Sequence, residues 1–399
     1  MHVAKGLYRI PLMFFALAAC FGLLLRWHVV HPLDWVHYPY MLHAHSHLMF
    51  LGWVTNALVI FGIEAYVADT KARWYRRVFY WLQALLVGMA VSFPLQGYGV
   101  ASIVLSTLHT GLIVVLSIRF FRDTKSSAST ASLWYMRIAL VYFLVSAVGP
   151  IAIGGTSATG LGQTKWYYLS VYYYLHFQYN GFFTFGGIAV LLHLLEKRGI
   201  LFNIVEARRA GRYLAIACVP AYLLSTLWTD PGIVFNAIGF FAAVLQIISL
   251  WLLVKCLRPT TREIASKADR LTIYLLVIGL ISYGIKLFAQ WLSAFPSVAH
   301  LAFANRPYVM AYLHLVLIGT ITLPLLVWYH ERLLFGRLGR TAVAVFVVGF
   351  LSTEVILMLM PSAPYLGPGL GGTMGMAILV ASVILVAGVI LLLASTRKT

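Results

Sequence analysis

Long apolar runs alternate along the chain with short polar turns. A helix rises about 1.5 Å per residue and a bilayer's hydrocarbon core is ~30 Å thick, so runs of roughly 17 or more apolar residues mark membrane helices. Twelve such runs are read, near residues 10–27, 41–66, 77–94, 99–121, 132–154, 168–195, 212–228, 232–255, 271–293, 307–330, 341–360 and 373–395. No linker, low-complexity tract or internal repeat is evident between them. The pattern predicts an all-α polytopic membrane protein of twelve transmembrane helices, folded as a single transmembrane domain over residues 1–399.

Composition sharpens this. The chain is 61% hydrophobic and 10% charged, against about 25% charged for soluble domains. The first run has no small-residue cleavage site and is read as a span, not as a leader. Cys20, Cys218 and Cys256 show no CxxC spacing and fit buried apolar cysteine. The net charge of +18 would suit nucleic acid, but its distribution excludes that partner. Of the 29 Lys and Arg, 25 fall in the loops on the side of the N-terminus. Only Arg26, Lys165 and Arg306 fall on the other side, and Lys286 lies inside a span. This positive-inside bias puts both termini in the cytoplasm and makes anionic membrane lipid the expected partner of the basic face.

The candidate chemistry lies in the histidines. His45, His176 and His314 fall on spans two, six and ten, each a few residues in from the outer boundary. At the helical rise they share a layer roughly 6–12 Å deep. Imidazoles at one depth on three helices suggest a shared ligand, and haem suits such a layer because two facing imidazoles can hold its iron. In "MLHAHSHLMFLGW" the helical period puts His43 and His47 on one face and His45 nearly opposite. His45 would therefore serve one site and the His43–His47 pair another, for which a transition metal such as copper is the candidate. His109 reads as a hydrogen-bonded core residue. His193 is too far along its helix to share a metal with His176, and His28, His31 and His37 read as interfacial residues among aromatics.

These residues resemble the catalytic subunit of haem–copper oxidases, nearest to the C-type oxidases and nitric oxide reductases. The twelve-span plan is similar to that fold. His45 lies eleven residues before "NAL" at Asn56, as the low-spin haem histidine does in span two of the family. "YLHFQYNGFFTFGG" resembles the family's copper-ligand span, with His176 and Gly181-Phe182-Phe183. "YLHLVLIG" resembles its His-x-His span, with Tyr312 at the high-spin position and His314 at the low-spin one. The span-seven histidine pair is missing, because residues 212–240 hold no histidine. The resemblance thus implies haem b between His45 and His314, with the oxygen-reducing centre dismantled. Tyrosinate can ligate iron, so Tyr312 is a candidate for a second haem. The "HAH" of span two also resembles NnrS-type proteins, which bind haem and copper in nitric oxide stress.

The resemblance further implies a bacterial inner membrane protein taking electrons from quinol or a cytochrome. It points to oxidoreductase chemistry in electron transfer or nitric-oxide handling, and not to a proton-pumping oxygen reductase. Arg306 is the expected partner of a haem propionate. His176, with His43 or His47, is the expected second site for copper or a small ligand. Lys286 and Glu354, ionisable groups inside spans, are candidates for a proton or ion path, or for a mutual pair. No catalytic residue is assigned. A membrane transporter or a haem or copper assembly factor, with histidines as transient ligands, is the second function class considered.

Overall fold

In the computed structural model the described residues are 5–396, apart from 163, 333–338 and 368. They are almost entirely helical and include no strand. The inner-side cations Arg337, Arg397 and Lys398 lie outside them. The long helices are α1 (Gly6–Val30), α2 (Tyr38–Tyr66), α3 (Asp69–Gln96), α4 (Val100–Asp123), α5 (Ala131–Thr156), α6 (165–197), α7 (Ile204–Thr229), α8 (Ile233–Lys267), α9 (Arg270–Leu292), α10 (Arg306–Glu331), α11 (Arg340–Ser362) and α12 (Leu370–Ser395). Among the described residues, eleven of these are long and apolar enough to cross a membrane, which makes this a multi-pass helical membrane protein. The helix over the twelfth expected run, α6, forms without a break but is not one of the eleven. Tyrosines and the polar stretch His176–Asn180 dilute its apolar character.

The chain divides into two compact units. The first joins Met1–Ser126 to Tyr329–Thr399 and contains α1–α4, α11 and α12. In it α11 and α12 press backbone against backbone. A Cβ on Gly349 would lie 2.4 Å from the Leu385 nitrogen, and one on Gly388 would lie 2.4 Å from the Phe346 Cα. Lipid tails are as apolar as leucine, so membrane helices associate through such close packing. Charged groups of this unit pair near the ends of its helices. Glu64 pairs with Arg332 and accepts from the Tyr8 hydroxyl at 2.8 Å. Asp123 takes Lys71 at 3.0 Å, Arg119 at 2.9 Å and the Tyr75 hydroxyl at 3.1 Å.

The second unit, Ser127–Trp328, contains α5–α9 and most of α10. Its α7 starts at an Asn203 cap, which accepts from the Val205 and Glu206 nitrogens. Near Pro220, which has no N–H to give, α7 tightens into a 3-10 helix over Pro220–Thr229. There the Tyr222 nitrogen bonds the Val219 carbonyl three residues back at 3.2 Å. The carbonyl four residues back, that of Cys218, is released for another donor.

Among the described residues three helices carry a π-helical segment, a rare geometry that concentrates at functional sites. The segments are Leu48–Thr55 in α2, Phe177–Phe183 in α6 and Leu315–Thr322 in α10.

Candidate functional site

Each π segment begins on the residue after a histidine: His47, His176 and His314. The three stretches read HLMFLGWVT, HFQYNGFFT and HLVLIGTIT, a shared His-x4-Gly-x2-Thr. In each, the threonine hydroxyl donates to the carbonyl five residues back. Thr55 reaches Phe50 at 2.9 Å, Thr184 reaches Tyr179 at 2.6 Å, and Thr322 reaches Leu317 at 2.8 Å. The chain therefore does contain an internal repeat, recurring every fourth long helix, where none was evident from its apolar runs. Only three positions in nine are shared, too few to register as self-similarity until the common backbone geometry is seen. In this register His47, not His45, corresponds to His176 and His314. His45 corresponds to Tyr174 and Tyr312.

In the first unit the helix separates the triplet as its 3.6-residue period requires. His45 turns to α1, where its Nδ1 donates to the Ala18 carbonyl at 2.7 Å. Its ring lies so close to Gly22 that a Cβ there would stand 2.8 Å from Cε1, which only glycine accommodates. With Nδ1 carrying the proton, Nε2 keeps its lone pair. His43 and His47 turn instead to α3 and the turn after it. The His43 ring lies 4.4 Å from Tyr98, and the His47 ring lies 4.2 Å from Phe93. His47 Nδ1 donates to the His43 carbonyl at 2.9 Å, and the Tyr98 hydroxyl stands 3.4 Å from Nε2. Asn56, of the "NAL" match, ties α2 to α3. Its amide donates to the Gly52 carbonyl and to Gln83 Oε1, both at 2.9 Å, and Gln83 returns a bond at 3.1 Å.

In the second unit His176 is 1% exposed and both its ring nitrogens are engaged. Nε2 donates at 2.8 Å to the Cys218 carbonyl that the 3-10 turn released, and Asn180 donates to Nδ1 at 3.0 Å. The expected ligand is thus a hydrogen-bonded tie between α6 and α7. A metal at either nitrogen would break one of these bonds. The Tyr312 ring packs edge-on to Tyr179 at 6.1 Å. Tyr312 and His314 are two residues apart on α10 and so face different ways. Arg306 is exposed at the first turn of α10.

Some placements were not legible. His109 is fully buried, yet neither of its ring nitrogens has a hydrogen-bond partner among the described residues, contrary to the expected bonded core residue. Lys286, 1% exposed, has its Nζ 5.7 Å from the centre of the Tyr283 ring. Gln246 and Gln290, polar groups inside apolar spans, carried the same signal as Lys286 and were missed. Among the described residues no group of three or more His, Cys, Asp or Glu side chains is placed to hold a metal ion.

Taken together, helix-borne imidazoles inside a multi-pass bundle define a membrane protein with candidate cofactor-binding histidines in each unit. No protein-family model and no curated protein sequence matches the chain.

Proposed function

We propose that the protein is a haem b-binding membrane protein with twelve spans, related to haem–copper oxidase subunit I. It works in electron transfer or nitric-oxide handling in a bacterial inner membrane. The observation that supports this most is the state of His45. A backbone carbonyl holds its Nδ1 proton, and this is the outer-shell contact that orients a metal-bound imidazole and leaves Nε2 for iron. His314, leading into the π turn of α10, would be the second residue to hold the haem. Haem b, when bound, would supply a one-electron iron couple, with quinol or a cytochrome as the electron source.

The chain's own residues have separate duties. Ala18 and Gly22 fix the His45 ring. Arg306, exposed at the start of α10, meets a propionate. Tyr312 faces away from His314 and lies against Tyr179, an arrangement that leaves a second haem unsupported. Oxygen reduction with proton pumping is not proposed, because span seven has no histidine and His176 is fully hydrogen-bonded. For copper, the remaining place is the His43–His47 face of α2.

A reduced-minus-oxidised visible spectrum of the purified protein tests this. Sharp bis-histidine haem b bands are expected, and His314→Ala should remove them. A colourless protein would sink the proposal. It would favour the alternative of a transporter or an assembly factor, for which the buried polar groups around Lys286 are the supporting observation.

A further inference from the structure

Where α7 gives way to α8 the chain turns in three residues, Asp230, Pro231 and Gly232. Both helices are long and apolar enough to span a membrane, so a turn this short stays at the membrane boundary. Asp230 takes a left-handed backbone there, with a φ of 50°, and its nitrogen bonds the Leu227 carbonyl at 3.1 Å. The turn needs that conformation but not a carboxylate, since asparagine and glycine adopt it as readily. The carboxylate is set against His300, whose Nε2 lies 3.0 Å from Asp230 Oδ1. His300 comes from the short helix Pro296–Ala304 between α9 and α10. Both side chains are exposed, and an exposed pair of this kind contributes little to stability.

The pair borders a cavity of about 210 Å³ within the second unit. A cavity of about 150 Å³ takes a benzene ring, so this one has room for a single substituted ring. Leu227, Ile233 and Pro296 give it apolar walls. Pro296 and His300 are one turn apart and share a face of their helix. Asn236 also lines the cavity, and its amide donates to the Ala294 carbonyl at 2.8 Å, which fixes the start of α8 to the end of α9. Ile233 is exposed, as are Phe295 and Leu301, the chain neighbours of Pro296 and His300. A molecule arriving from lipid therefore meets apolar surface at the cavity.

The polar groups decide what that molecule carries. With Nε2 donating to the carboxylate, a neutral His300 keeps a lone pair on Nδ1, and Asp230 keeps its second oxygen. Both of these accept. Carbonyl or ether oxygens would meet them lone pair against lone pair. A hydroxyl donor is complementary, and its bond to a carboxylate is of the stronger, charge-assisted kind.

We propose that this cavity binds the ring of a membrane-borne quinol, with a ring hydroxyl donating to the Asp230–His300 pair. As an electron donor this quinol rests on the haem proposal, whose electron source it selects. As a ligand it does not.

The test is saturable binding of tritiated duroquinol to the full chain in nanodiscs under argon, above partition into empty nanodiscs. Wild type should saturate. Duroquinone, which has no hydroxyl, and the dimethyl ether of duroquinol should each compete about tenfold more weakly, the worth of one charge-assisted hydrogen bond. Asp230→Asn, which suits the same backbone, should weaken duroquinol by about tenfold for the same reason. Ile233→Trp fills the cavity from an exposed interfacial position, where tryptophan is at home, and should remove saturable binding. If that variant does not fold, Asp230→Asn serves. A wild type without saturable binding would overturn the proposal. So would equal competition by the quinone or the ether, or unchanged affinity in either variant. Haem absorption is not part of the readout. A colourless protein that binds duroquinol in this way sinks the haem proposal alone, and a red one that does not bind it sinks this one alone.

Discussion

The same nine-residue motif is used differently in the two units. In the first unit, α2 packs three imidazoles before its π segment and turns them to two faces, with His45 against α1 and His43 and His47 against α3. Each of His45 and His47 gives its Nδ1 proton to a backbone carbonyl; the Tyr98 hydroxyl then meets Nε2 of His47, and Nε2 of His45 keeps its lone pair. In the second unit, α6 carries one histidine before its π segment, and the protein consumes both ring nitrogens. The difference comes from the neighbouring helix. Beside α2 stands an α1 with a glycine to receive the ring. Beside α6 stands an α7 whose 3-10 turn leaves a carbonyl without its helical donor. A histidine at or two residues before a repeated position is therefore a ligand candidate or a structural tie according to what the adjacent backbone offers.

Substitutions can break or sharpen that contrast. The largest effect is expected at His314, where alanine should abolish haem absorption while the protein remains folded by circular dichroism. At His176, alanine should strand the Cys218 carbonyl and Asn180. It should cost about 2–4 kcal/mol in unfolding free energy and leave any haem bands in place. A spectrum lost without a stability change would reverse the two roles. In the first unit, Asn56→Ala should cost about 1–2 kcal/mol by cutting the α2–α3 amide pair. The smallest effects belong to the shared threonines. Thr55→Val, Thr184→Val and Thr322→Val should each cost about 0.5–1 kcal/mol, near the net value of one intramolecular hydrogen bond. Equal losses at all three would mark the π geometry as a common device. A loss at one alone would mean that it matters at a single station.

Much of the fold was legible because hydropathy reports burial in lipid directly. The helices fall where the apolar runs are. The opposed faces of His43 and His47 against His45 followed from helical periodicity alone. The division at Ser126 and Tyr329 was not legible, since it depends on contacts between helices far apart in sequence. The repeat was hidden because its three shared residues are separated by unlike apolar ones. The state of His176 could not be read either. It turns on one carbonyl freed by the geometry around Pro220, and spacing carries no record of that. His109 and the amides of Gln246 and Gln290 show that polar residues inside spans merit equal weight whether or not they are charged.

The most direct measurement is haem content per chain across four purified variants: His45→Ala, His47→Ala, His176→Ala and His314→Ala. Loss in the His45 and His314 variants, with retention in the other two, is the predicted result. Loss in the His47 variant with the His45 variant still red would contradict it, and would place the iron on the repeated station instead of the residue two before it.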